Sequence, residues 1–272
     1  MRYLECQLVK NECYQQYHDD YLIPEGIIIH STDKAGGELK RFVQPAVGQT
    51  KGLRDGDRTV TAAEMLRILG TNVNNNSWNR PNCYGAVHAA IGKAADGSYA
   101  VCKTLDYTQP CSGVAFGSKG SYDGRIIVNG KKVAGGHLYI QFEMIEDGNN
   151  PSKAQAKALY DNAVEFAAYL REMFPTIKIE DIISHKEANA RGYGSAHGDP
   201  EAYWKRAGVD YTMAKFRDAV KAKLEEEQPP ANDGPIYRIQ VGAFRNRAYA
   251  DDYLEQVQKV YPNAYITTKG GS

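Results

Sequence analysis

Two short apolar runs, 138–145 and 179–184, flank a long segment, 152–173, that can only be one kind of element. Its apolar residues Ala156, Leu159, Ala163, Phe166 and Leu170 recur at the spacing that puts them on one side of an α-helix. Ser152 stands where such a helix needs a side-chain cap. The 138–145 run alternates like a strand, so the order is strand, long one-sided helix, strand. A helix with one apolar stripe has to lie on a sheet or on other helices. The rest of the chain supplies more strands: 26–31, an apolar run ending at His30, then 86–93 and 99–105, joined by a hairpin turn at Asp96-Gly97. Helices are predicted over 61–69, where Ala62, Met65, Leu66 and Leu69 share a face and Gly70 ends it, and over 200–205 and 211–226. Residues 71–81 are Asn-rich and read as loop; 111–136 are Gly-rich and read as loop with a hairpin around Asn129-Gly130. Strands interleaved with helices predict an α/β domain with a mixed central β-sheet flanked by helices.

The chain changes character after residue 224. Residues 225–235 are acidic and then Pro-rich, with no apolar periodicity, and read as a linker. Beyond it a strand (237–244), a helix (246–260) and a strand (264–269) form a β-α-β fragment too small to be comfortably stable alone. The expected organisation is a domain over 1–226, a linker over 227–235 and a small module over 236–272.

Charge narrows the function classes. Lys+Arg and Asp+Glu number 33 each in the 272 residues, so the net charge is zero. That argues against a nucleic-acid or anionic-membrane binder that works through bulk charge. No apolar run approaches the roughly 18 residues of a membrane span. The polar start MRYLECQLVKNECYQQ lacks the apolar core of a signal peptide. Five cysteines, an odd count without a C-x-x-C pair, read as free thiols, with a Cys6–Cys13 bridge conceivable only in an oxidising space.

The chemistry concentrates in Ile183-Ser-His185-Lys-Glu187 and His197-Gly-Asp199-Pro200, with His30 far upstream. Imidazole and carboxylate are ligands for Zn²⁺, and a catalytic zinc takes three protein ligands and keeps one position open. Each residue also has an ordinary reading. His30 and His185 can be core histidines at strand ends. Asp199 can cap a helix opening at Pro200, or do so while serving as a ligand. Glu143 can be a solvent-facing strand residue, and Glu146 competes with it for any catalytic role. His88 and His137 divide between structure and substrate; His18 reads as surface. Glu187 is a candidate to orient His185, since ligand histidines usually donate their other N–H to an oxygen. Tyr107, Phe116, Tyr122 and Trp204 either pack or line a groove.

Over residues 1–226 the chain resembles the type-2 N-acetylmuramoyl-L-alanine amidases, zinc enzymes that share their fold with peptidoglycan-recognition proteins. Endolysins of phages that infect Gram-positive bacteria, and related bacterial lysins, are the nearest likeness. ECQLVKNECY, PEGIIIHST, SWNRPNCYGAVHAAIGK, GGHLYIQFEMIEDG and ISHKEANARGYGSAHGDPEAYWKRAG carry it. The tail YRIQVGAFRNRAYADDYLEQVQ resembles the first half of a SPOR module, which binds glycan strands stripped of their peptides. The resemblance implies His30, His185 and Asp199 as zinc ligands and Glu143 as the proton-handling residue. The family commonly carries Lys two residues before the third ligand; here the position is His197, which can stabilise an oxyanion only as a hydrogen-bond donor. Alternatively His197 binds the zinc and Asp199 stands behind it. The implied activity is hydrolysis of the amide between N-acetylmuramic acid and L-alanine, with peptidoglycan as partner, action as a monomer, and neither nucleic acid nor membrane involved. The implied place of action is the cell wall. Without a signal peptide, that means host cytoplasm until holin-type release, or non-classical secretion. A non-catalytic peptidoglycan-binding protein on the same fold is the alternative. A general zinc peptidase is disfavoured because H-E-x-x-H is absent.

Overall fold

A computed structural model describes residues 1–19, 23–32, 36–114, 127–128, 131–132 and 138–227, and the single positions 254 and 257. The linker beyond residue 227 and the β-α-β reading of the tail lie outside the described residues, as do His137, Phe116 and Tyr122.

The described residues form an α/β structure around an eight-stranded mixed sheet. In chain order the elements are β1 (Tyr3–Cys6), α1 (Glu12–Tyr17), β2 (Gly26–Ser31), β3 (Leu53–Asp55), β4 (Arg58–Thr59), α2 (Ala62–Leu69), β5 (Ala89–Lys93), β6 (Tyr99–Lys103), β7 (Ile127–Val128), β8 (Lys131–Lys132), β9 (Tyr139–Met144), α3 (Lys153–Met173), β10 (Ile182–Ser184), α4 (His185–Ala190), α5 (Glu201–Arg206) and α6 (Met213–Glu227). The sheet runs β10-β2-β9-β5-β6-β1-β3-β4, and β7 and β8 pair separately as the hairpin expected around 129–130. The four strands β10, β2, β9 and β5 are mutually parallel. Gly97, at φ +82°, makes the tight turn between the antiparallel β5 and β6.

The long helix is where its pattern puts it. Ser152 accepts the Gln155 N–H at the start of α3, and nine residues of the helix are buried, among them Leu159, Phe166 and Leu170. They cover one face of the parallel strands: Ile27 and Ile29 of β2, Ile140, Phe142 and Met144 of β9, Ala89 and Ile91 of β5. α6 packs on α3, with Phe216 edge-on to Tyr160 at 5.4 Å. Trp204 and Tyr107 are buried in this same cluster, so both pack rather than line a groove.

Several expectations are corrected. The strand predicted over 179–184 is a 3₁₀ turn, Ile179–Asp181, followed by the three-residue β10. β1, β3, β4 and α1 are not legible as elements in the sequence: three of them are four residues or fewer, too short to show a period. All five cysteines are free. Among the described residues no helix is long and apolar enough to cross a membrane.

Candidate metal centre

Side chains alternate across a strand, so the residues between the packed ones point to the opposite face. On β2 and β9 these are Ile28, His30, Gln141 and Glu143, and the register sets Ile28 beside Gln141 and His30 beside Glu143. On β5 Ala90 lies beside Glu143, and His88 just before the strand continues the row. One face of these strands is therefore apolar and sealed by α3, while the other sets His30, Gln141, Glu143 and His88 among apolar neighbours such as Ile28 and Ala90.

β10 brings in the second histidine. It ends at Ser184, which caps α4 in a reciprocal capping box with Glu187, and His185 is the helix's first residue. The turn from strand to helix aims the His185 ring at β2. His30 Nδ1 and His185 Nδ1 stand 3.0 Å apart, and both rings are buried. The loop before α5 delivers Asp199. Its Oδ1 lies 3.5 Å from His185 Nδ1 and its Oδ2 3.8 Å from His30 Nδ1. Asp199 does not cap α5: Pro200 holds the cap position without a side-chain bond, and the Asp199 carboxylate instead accepts the Ser31 backbone N–H at 3.0 Å.

The proton positions are set by the partners. The Gln141 amide donates to the Cys111 carbonyl at 3.3 Å, which turns its Oε1 toward His30 Nε2 at 3.0 Å. Only an N–H can make that bond, so the neutral His30 carries its proton on Nε2 and a lone pair on Nδ1. His185 Nε2 meets Ser195 Oγ at 3.3 Å. With its N–H donated there, two imidazole lone pairs and a carboxylate converge on one point with no proton among them. A divalent cation satisfies all three. Zinc–ligand bonds of about 2.0–2.1 Å in a tetrahedron put the donor atoms roughly 3.3 Å apart; the two Nδ1 atoms stand 3.0 Å apart, and the carboxylate approaches them with different oxygens, Oδ1 at 3.5 Å and Oδ2 at 3.8 Å. The three donor atoms lie within 4.8 Å of one another, and this is the one such cluster among the described residues. Burial, then the neighbouring His185, lowers the His30 pKa to about 4, which keeps its lone pair available at neutral pH. Burial pushes Asp199 up, but the adjoining His185 and His30 rings and the Ser31 N–H outweigh it and hold the group below its ordinary value.

Beside the cluster opens a pocket of about 510 Å³, lined among others by Glu143, Glu146, His197 and Arg206. The two glutamates differ sharply. Glu146 is buried and bound by Ser31 Oγ at 2.8 Å and by the Arg206 guanidinium. Glu143 has no hydrogen-bond donor at its carboxyl among the described residues. Burial, followed by the charges of Asp199 and Glu146, raises its pKa well above the ordinary glutamate value. His197 sits at the rim with its side chain 59% exposed, stacked on His185 at 4.5 Å and with Nδ1 3.6 Å from Asp199 Oδ1.

Two of the candidate contacts are absent. Glu187 does not orient His185; it closes the α4 capping box and pairs with Arg217 of α6 at 2.9 and 3.1 Å. The helical turn that places His185 inward turns residue 187 away. His88 does not face substrate. Its Nδ1 accepts the Gln141 N–H at 2.9 Å and its Nε2 donates to the Gln109 carbonyl at 2.9 Å, and it is 1% exposed. His18 is exposed, as expected. Gln141 and Ser195 do not stand out in the sequence; Gln141 lies two residues before Glu143 on the same strand face, the one spacing that points to it.

Residues 233–272 match the SPOR domain family. No curated protein matches the chain. Three solved structures to which the chain is similar are the catalytic domain of PlyG (14% identity, covering 80% of this chain and 93% of that one, TM-score 0.42), PlyL (13%, 77% and 91%, TM-score 0.39) and a selenomethionine derivative of AmpD (17%, 79% and 94%, TM-score 0.38).

Proposed function

We propose that the chain is a zinc-dependent N-acetylmuramoyl-L-alanine amidase, cutting the amide between N-acetylmuramic acid and L-alanine in peptidoglycan. The observation that carries this is the convergence of His30 Nδ1, His185 Nδ1 and the Asp199 carboxylate on one point at the wall of an open pocket. It joins the order of motifs along the chain, from PEGIIIHST through YIQFEM to ISHKE and HGDP, which is that of the amidases. His30, His185 and Asp199 would hold Zn²⁺. Bound there, the ion supplies a water acidified toward a pKa of about 7 and polarises the scissile carbonyl.

The other roles belong to side chains. Glu143 sits one strand over from His30 with no hydrogen-bond donor at its carboxyl among the described residues, placed to take a proton from water and hand it to the leaving amine. Glu146 is the poorer candidate because Arg206 and Ser31 already hold it. His197, on the rim and stacked against His185, is placed to donate a hydrogen bond to the oxyanion of the tetrahedral intermediate. Its exposed ring lies outside the tight cluster, which favours Asp199 as the third ligand. The SPOR-family segment would hold the enzyme on wall glycan, so the chain would act at the cell wall.

The test is zinc analysis of protein purified without chelator, together with digestion of purified peptidoglycan. About one zinc per chain and new L-alanine amino termini are expected. Wall binding without release of peptides would make the chain a peptidoglycan-binding protein instead.

A further inference from the structure

We infer that Glu146 and Arg206 are positioning residues, a buried carboxylate paired with a partly exposed guanidinium, that set Asp199 in place from two sides. This rests on the reading of the cluster as a metal site.

Glu146 lies just past the end of β9 and is 1% exposed. Its backbone N–H donates to Thr32 Oγ1 at 3.0 Å, which fixes it beside the end of β2. One carboxylate oxygen accepts the Ser31 hydroxyl at 2.8 Å. The same Ser31 donates its backbone N–H to Asp199 Oδ2 at 3.0 Å. Ser31 thus bridges the two carboxylates, its hydroxyl on one and its amide on the other. The second Glu146 oxygen takes the guanidinium of Arg206, the last residue of α5. α5 begins two residues after Asp199, and Tyr203 of the same helix donates to Asp147 Oδ1 at 3.3 Å. Glu146 therefore ties down both the donor that Asp199 leans on and the helix just beyond Asp199.

Such a pair is a weak way to stabilise a fold, because burying the Glu146 carboxylate costs solvation that offsets most of its attraction to Arg206. This one lies at the wall of the pocket, where Glu146 holds Ser31, the residue next to His30, and Ser31 in turn holds Asp199. Fixing direction is the service such a pair renders well, since an oriented carboxylate has fewer geometries than an apolar contact. Groups that hold a ligand from behind typically contribute 10–100-fold to metal affinity.

The experiment measures zinc affinity of the full chain by competition with a chromophoric chelator, for wild type, Ser31→Ala, Glu146→Gln, their double variant, Arg206→Lys and Arg206→Met. Affinity should fall roughly 10-fold or more in Ser31→Ala and in Glu146→Gln. The double variant should be no weaker than the worse single one, because both break one path. Arg206→Lys should recover most of what Arg206→Met loses. Folded variants that bind zinc like the wild type, or losses in Ser31→Ala and Glu146→Gln that simply add, would overturn the inference while leaving the metal site intact. Should Glu146→Gln fail to fold, Ser31→Ala alone decides, since it removes one hydroxyl and leaves the amide. A wild type that takes up no zinc at saturation would instead overturn the site reading beneath it.

Discussion

The two faces of the parallel strands are built from the same backbone and obey different rules. Under α3, Ile29, Phe142, Met144 and Phe166 meet through surfaces that are interchangeable in kind, and each adds its share of buried area. On the other face His30, Gln141 and His88 meet through single atoms, each aimed at a particular partner. The first face holds the sheet together; the second uses the sheet as a ruler. β2 and β9 are thus buried on both sides for opposite reasons, one face to exclude water and the other to aim lone pairs.

Substitutions separate the two. His30→Ala or His185→Ala should abolish zinc binding and bring peptidoglycan cleavage to background, while the metal-free protein stays folded; retained zinc in either would dissolve the proposed centre. Next in size, Glu143→Gln should keep zinc and fold yet lose about 10²-fold or more in rate. His197→Ala should also keep zinc and lose roughly 10²–10³-fold, with partial recovery in His197→Lys. Zinc loss in His197→Ala with Asp199→Ala still loaded would exchange the roles of those two residues. On the packed face, Phe166→Ala should cost about 3–5 kcal/mol in unfolding free energy with zinc stoichiometry unchanged below the new melting temperature. An unfolding cost there no larger than that of His30→Ala would break the contrast.

The smallest effect is one of pH. Burial depresses the pKa of His88 to about 4 from an ordinary 6.5. A group that gains its proton more readily when unfolded stabilises the fold above its unfolded pKa and gives that up as pH falls toward the folded one. His88 should therefore weaken the fold progressively between about 6.5 and 4. Urea midpoints of the metal-free protein across that range should fall less steeply in His88→Asn; equal slopes would mean that burial does not hold the ring neutral.

What the sequence discloses divides along the same line. Burial has a period, so the bounds of α3, its Ser152 cap and the position of β9 are readable to within a residue or so. His30 near the end of β2 and His185 just past β10 are readable too, because each follows a short apolar run, 27–29 and 182–183. Pairing across the sheet has no local signature. That His88 sits two residues short of the partner of Glu143, and so reaches the backbone of Gln141, depends on a register between β5 and β9 that neither strand announces. Glu187 misleads because a helix turns residue 187 away from residue 185, toward Arg217. The Asp199 carboxylate has the sequence context of a helix cap, but the Ser31 amide claims it.

Gly113 sits where this division is most severe. A Cβ at that position would stand 2.6 Å from Gln141 Oε1 and 2.8 Å from Val87 Cγ1. Cys111, two residues earlier, supplies the carbonyl that orients the same amide. One methyl group, touching no ligand, would thus push on the atom that decides which nitrogen of His30 bears its proton. On the packed face a methyl more or less is a matter of degree. Here it is a matter of kind, so tolerance to random change should be graded across one face of the sheet and nearly binary across the other.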